Sequence, residues 1–352
     1  MGLQIRQELS SLGPLVAIDA VCRADSWVTP GDRAQIAPPG CSRANHNNLQ
    51  RAMITTTAEQ AIPAYPSPFQ EFWRGFSANR GALAALIVFA LIAFVSLFAS
   101  VIAPYNPIEQ FRDHMLTPPV WAEGGSWQFL LGTDELGRDI LSRLLHGGRV
   151  SLGIGLASVL LSLLPGVLLG LLAAFYQHTA SPVIMRVMDI MLALPGLLLA
   201  ICVITVLGPG LANTVLAIAI GALPGYTRLT RASALAEIGR DYVTASRVAG
   251  ASTWRLMFIT VLPNCMAPLI VNATLSFSSA ILETAGLGFL GLGVQAPTPE
   301  WGTMLSAARD YIERAPWVVT LPGLTILVTV LSINLMGDGL RDALDPKLKK
   351  VG

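Results

Sequence analysis

Six stretches of this 352-residue chain carry no Asp, Glu, Lys or Arg: residues 81–102, 151–176, 190–207, 211–227, 265–282 and 315–337. A helix needs roughly 20 apolar residues to cross the hydrocarbon core of a bilayer. Only helices and closed barrels satisfy their backbone groups in lipid, and these runs lack the alternation of barrel strands. The pattern predicts an all-α membrane protein with six transmembrane helices. Composition agrees: 53% of residues are hydrophobic and 13% charged, whereas soluble domains average about 25% charged. Sidedness follows from the Lys and Arg residues of the connections, because cytoplasmic loops keep the excess. One set of connections holds twelve and the other six, which places both termini and segment 241–264 in the cytoplasm.

The pattern divides the chain further. Residues 1–52 carry Pro38-Pro39-Gly40 and no periodic apolar face, so they read as a disordered upstream extension, with natural translation beginning at Met53. Residues 53–80 form a cytoplasmic N-terminal segment, in which Phe69, Phe72, Trp73 and Phe76 recur at helical spacing. That stripe predicts an amphipathic helix on the membrane surface. The first span covers 81–103, and a periplasmic segment follows over 104–150. Within it, Asp134 is a candidate helix cap and Gly147-Gly148 a candidate helix end. Leu136, Ile140, Leu141, Leu144 and Leu145 share one face of that interfacial helix, with Asp134–Arg138 and Asp139–Arg143 paired on the other. The remaining five spans fill a core domain over 151–341, with a cytoplasmic loop at 236–263, and 342–352 is a cytoplasmic tail. Leu-Pro-Gly recurs at 164–166, 194–196, 223–225 and 321–323. Each proline should bend or break its helix. Arg186 and Asp189, three residues apart, are expected to form a local ion pair.

Candidate chemistry is sparse. Cys22, Cys41, Cys202 and Cys265 are scattered, and so are the four histidines. No metal-ligand spacing, disulfide framework or nucleophilic centre follows, so no catalytic or metal residues are expected. The only lysines are Lys347, Lys349 and Lys350, none beside a glycine. A phosphate-cradling loop needs that pairing, so this chain does not hydrolyse ATP by that route. Glu283 interrupts the fifth apolar run, and an ionisable residue at membrane depth is a functional candidate.

Segment 241–264, "DYVTASRVAGASTWRLMFITVLPN", is too polar to cross a bilayer. Asp241 is a candidate N-cap, Gly250 allows a left-handed corner, and Ser252 can cap a second short helix before Leu262-Pro263 opens the next span. Two short helices meeting at Gly250-Ala251-Ser252 suit a groove on another protein. An ordinary surface loop fits the same composition. The segment resembles the cytoplasmic coupling loop of ATP-binding-cassette importer permeases, whose pattern is Glu-Ala-Ala, three residues, Gly, nine residues, Ile, one residue, Leu-Pro. Ala245, Gly250, Leu262 and Pro263 keep their places, while Thr244, Ser246 and Thr260 depart from the pattern. The motifs at 72–83, 132–152, 286–302 and 337–347 are similar to the C-type permease subunit of dipeptide, oligopeptide and nickel importers, from about residue 69 onward.

The resemblance implies a type I importer permease fold in the bacterial inner membrane, moving di- and oligopeptides. It also implies a B-type permease as heterodimer partner, two cytoplasmic ATPases that bind ATP and Mg, and a periplasmic or lipid-anchored binding protein. Asp241, Thr244, Ala245, Gly250, Ala251, Ser252 and Pro263 would then dock the ATPase, with Glu283 and Ser279 on the translocation path. A proton-coupled secondary transporter using Glu283 is the alternative, although no repeated half accompanies it.

Overall fold

The computed structural model describes residues 67–344. The reading of residues 1–52, the start at Met53 and most of the 342–352 tail lie outside the described residues. Among these residues all regular elements are helices, with one isolated bridge between Thr133 and Asp139.

Helix α1 (Pro68–Ala78) precedes α2 (Arg80–Leu97), which starts where the Asn79 side chain accepts from the Ala82 amide at 3.2 Å. A four-residue turn, α3 (Ala99–Ile102), leads into the connection over 103–139. Helix α4 (Ile140–Phe175) is the longest of the early helices, at 36 residues. Helices α5 (Ala180–Leu192) and α6 (Gly196–Leu207) meet at a 91° bend. Then come α7 (Leu211–Ile238) and the short α8 (Asp241–Val248). Helix α9 (Thr253–Arg255) runs through a π-helical stretch, Leu256–Val261, into α10 (Leu262–Phe289). Helix α11 (Trp301–Ala308) and α12 (Pro316–Leu344) complete the chain.

Four of these are long and apolar enough to cross a membrane alone: Arg80–Leu97, Ile140–Phe175, Thr253–Phe289 and Pro316–Leu344. The α5–α6 pair makes a fifth if counted as one broken span. The predicted run 211–227 forms the front of α7, whose Asn213, Arg228 and Arg231 leave it less apolar than the others.

Several local expectations are corrected. The helix predicted from Asp134 instead starts at Ile140, capped by Asp139, whose carboxylate accepts from the Ser142 amide at 2.8 Å. Asp134 is occupied elsewhere. It accepts from the Arg138 amide and guanidinium, at 2.9 and 2.6 Å, and closes a tight loop through Gly137 at φ +71°. Arg143 therefore pairs with Asp134 at 3.4 Å rather than with Asp139. Gly147 and Gly148 do not end the helix. They lie inside α4, where a Cβ at 148 would stand 2.8 Å from the Trp301 ring. Of the four Leu-Pro-Gly repeats only 194–196 breaks its helix, because Pro195 turns extended ahead of α6. Pro165, Pro224 and Pro322 sit inside unbroken helices, as membrane bundles tolerate. Asp189 pairs across to Arg228 of α7, not with Arg186.

Close backbone contact organises the core. A Cβ on Gly166 would lie 2.6 Å from that of Tyr226, and one on Gly170 2.7 Å from the Thr227 carbonyl. Small residues give helices in lipid the contact area that water would otherwise enforce. Helix α11 is wedged against α4, where the Trp301 indole donates to the Leu144 carbonyl at 3.0 Å. The buried Glu300 carboxylate caps α11 through Gly302 and Thr303 and accepts from Ser151 of α4. Burial pushes its carboxyl above the usual range, against the lowering effect of these three donors. Phe76 of α1 and Ala82 of α2 pack with Ala343 of α12, so the described chain begins and ends at the same end of the bundle.

The α4–α7 contact makes a direct prediction. Gly170→Val should lower the melting temperature of the detergent-solubilised protein, by overpacking worth about 1–3 kcal/mol. Gly153→Ala, where a Cβ meets nothing within 4 Å, should leave it unchanged. Equal melting for both would show that the helices do not rely on this contact.

Candidate functional site

Segment 241–264 folds as two short helices around an open corner. Asp241 is the first helical residue of α8, and Arg240 holds the cap position in extended backbone. The expected cap role of Asp241 is thus replaced by a charge one place further in, where it still faces the positive end of the helix. Thr244 and Ala245 lie exposed along α8. Gly250 takes φ +85°, and a Cβ added there would meet no atom within 4 Å. Only backbone conformation, and whatever approaches from outside, constrains that position. Ser252 caps α9 as expected, its hydroxyl accepting from the Arg255 amide at 3.4 Å. Pro263 is exposed at the start of α10. The Trp254 and Phe258 rings stack at 5.4 Å on an exposed face.

The corner is exposed, but its base is fixed. Val243, the one buried residue of α8, packs into a cluster with Leu171 and Ala174 of α4, Ala234 of α7, and Leu256, Met257 and Val261 of the π-helical stretch. Ala251 packs against the same cluster. Tyr242 adds a polar tie by donating to the Glu237 carboxylate at the end of α7. Lost hydration, then that hydrogen bond and the Glu237 charge, push its phenol up to about 12. It therefore remains a donor across the physiological range. Arg240 also pairs with Glu237, at 3.2 Å.

A second feature lies among the long helices. Helices α4, α5, α7 and α10 enclose a polar cavity of about 230 Å³. Glu283 and Ser279 both line it, beside Ser276 and Asn272 on α10 and Ser158 and Ser162 on α4. Glu283 is half-buried and Ser279 exposed. The cavity and the corner are separate sites, joined through α4, α7 and α10.

Comparison with known proteins places this architecture. Residues 166–350 match the model of the binding-protein-dependent transport system inner membrane component, and residues 67–119 that of the N-terminal TM domain of oligopeptide transport permease C. The di/tripeptide transport system permease DppC of Pseudomonas aeruginosa is 69% identical over 298 residues, covering 85% of this chain and 98% of that protein. The chain belongs to the inner membrane components of binding-protein-dependent transport systems. Within them it is a C-type permease of the ATP-binding-cassette importers. The dipeptide transport system permease DppC of Escherichia coli K12 is 57% identical, covering 85% of this chain and all of that one. An inward-facing structure of the MetNI methionine transporter aligns with 58% of this chain and 96% of its own, at 19% identity and a TM-score of 0.49.

Two parts of this permease were not anticipated from sequence. The first is the clamp around Val243, a single apolar residue in a polar helix. The second is most of the cavity lining, although Asn272, Ser276, Ser279 and Glu283 recur at helical spacing in an apolar run. That stripe was available as a signal.

The clamp is testable by proteolysis. Val243→Asp would bury an unpaired carboxylate at a cost of about 2 kcal/mol or more. It should detach α8 and speed tryptic cleavage after Arg240 and Arg247. Val248→Asp, at a side chain that is 85% exposed, should not. Equal cleavage in the two variants would mean that α8 is held by something other than this clamp.

Proposed function

We propose that this permease forms the C-type half of an ATP-driven importer that moves di- and short oligopeptides across the cytoplasmic membrane. The observation that carries this reading is the near full-length relation to two dipeptide permeases, described above. A B-type permease completes the pathway as heterodimer partner. Two cytoplasmic ATPases bind ATP and Mg, and a periplasmic or lipid-anchored binding protein delivers peptide. The chain itself has no catalytic role and carries no cofactor.

In this reading six spans cross the membrane: α2, α4, the broken α5–α6 pair, α7, the continuous α9–α10 and α12. The seat of α1 on the end of α12 supports an even number of crossings. The excess of Lys and Arg supports placing that end in the cytoplasm, with 104–150 periplasmic and the loop 236–263 cytoplasmic. The corner from Asp241 to Ser252, with Thr244, Ala245, Gly250 and Ala251, enters a groove on an ATPase, and Pro263 carries the movement into α10. Closure of the ATPases shifts α8 as a rigid body. Because Val243 is packed among α4, α7 and the π-helical stretch, that shift reaches the walls of the cavity holding Ser279 and Glu283, the proposed path.

Two measurements test this. Gly250→Trp should leave the protein inserted, since the added ring points away from the fold. Binding-protein-stimulated ATP hydrolysis in the reconstituted importer should fall about tenfold or more, the effect of losing ~1.4 kcal/mol at the dock. Normal stimulation and uptake would reduce the segment to a connector. For topology, Leu130→Cys and Gly250→Cys are introduced separately into a cysteine-free background. A membrane-impermeant thiol reagent should reach the first only from outside and the second only from inside. Labelling of both from one side would exclude the six-span arrangement.

A further inference from the structure

Glu283 is the one charged side chain lining the cavity, and it makes no hydrogen bond or ion pair with any described residue. Its neighbours are neutral, and the hydroxyls of the two α4 serines are spent on backbone carbonyls. Ser158 donates to the Val215 carbonyl at 3.2 Å, and Ser162 to backbone carbonyls of its own helix at 2.9 and 3.0 Å. The Asn272 amide donates to the Ser276 hydroxyl oxygen at 3.5 Å. What remains facing the cavity is one carboxylate among hydroxyl and amide groups whose oxygens can accept. That set complements a group with several N–H donors and one positive charge, which is what a primary ammonium presents.

The bend between α5 and α6 brings a helix start to the acid. Gly196 opens α6 with no side-chain cap, and a Cβ there would lie 3.6 Å from the Glu283 carboxylate. The positive end of a 12-residue helix therefore lies beside this carboxylate. With no second charge in the cavity, the hold on a cation stays weak enough to release it, as transport requires.

We infer that Glu283, with Asn272 and Ser276 beside it, is the counter-charge for the primary ammonium of a peptide in transit. This deepens the peptide-importer reading and rests on it. The site selects for a free amino group within the membrane, independently of the selection made by the binding protein.

The test compares Ala-Ala with propionyl-alanine, the same molecule without its amine. Both are supplied at saturation to the importer reconstituted with its partner permease, ATPases and binding protein. The binding protein is common to all variants, so its own preference cancels when uptake ratios are compared. Glu283→Gln should lower the ratio of Ala-Ala to propionyl-alanine uptake about tenfold or more, the scale of one charged hydrogen bond. Glu283→Asp should retain part of the preference. An unchanged ratio in Glu283→Gln would overturn the site. So would a parallel loss of complex yield and of uptake of both solutes, which marks an acid needed only for folding. If a protonophore abolishes ATP-driven uptake by the unsubstituted complex, Glu283 carries a proton instead. Failure of the unsubstituted complex to take up Ala-Ala at all would overturn the peptide reading, and this site with it.

Discussion

The backbone approach of α4 to α7 is the contact on which the other features rest. At Gly166 and Gly170 any side chain would strike Tyr226, Thr227 or Thr230. In lipid, apolar side chains gain little by leaving one apolar surrounding for another, so close packing must supply the holding force. Three consequences follow along this one seam. Toward one end, Leu171 and Ala174 come level with Ala234 and make the socket for Val243. Further along, Ser158 reaches the Val215 carbonyl across the pair. On the flank, the two helices form two walls of the polar cavity.

On the proposed docking role, this arrangement reconciles two demands on the loop at Gly250. A surface that docks elsewhere has to be free of its own fold, and Gly250 meets nothing that would occupy its side. A surface that transmits motion has to be rigidly attached, and attachment is made one turn away through Val243 and Ala251. The two demands are met by different residues. The departure at Thr244 is consistent with that division. Its hydroxyl makes only a 3.5 Å contact with the Arg240 carbonyl, while the loop is fastened by apolar packing and by Glu237, which holds both Tyr242 and Arg240. An acid at position 244 is not needed to fix the loop to its own chain.

What the sequence disclosed and what it hid divide along physical lines. Runs without charge, the stripe at Phe69–Phe76 and the corner at Gly250 depend on local properties, and all were legible. Ser252 capped α9 as its residue type predicts. The misread places are those where a residue chose a partner distant in sequence. Asp134 looked like a helix cap, yet besides its expected partner Arg138 it takes Arg143, nine residues on. Gly147 and Gly148 looked like a helix end, yet they make room for Trp301 from beyond α10. Asp189 had Arg186 within one turn and paired with Arg228 on another helix. Glycine and proline report a backbone need without saying whether a turn or a neighbour creates it, so only one Leu-Pro-Gly of four broke its helix.

That one break is the most informative of the four, because of where it falls. A carboxylate at membrane depth costs about 2.5 kcal/mol or more unless its surroundings favour the charge. Glu283 has no cation beside it among the described residues, so only neighbouring dipoles or an incoming cation can offset that cost. Pro195 separates α5 from α6, so that α6 starts beside α10 with its first residue, Gly196, next to the Glu283 carboxylate. The start of α6 rests against α7, where a Cβ on Gly221 would lie in ordinary contact, 3.7 Å from the Gly196 carbonyl. Had α5 and α6 been one straight span, the same acid would meet the side of a continuous helix and no helix terminus. The broken span and the acid are therefore one device. The bend brings a helix N-terminus to the carboxylate, and that carboxylate is the one ionisable group lining this cavity among the described residues.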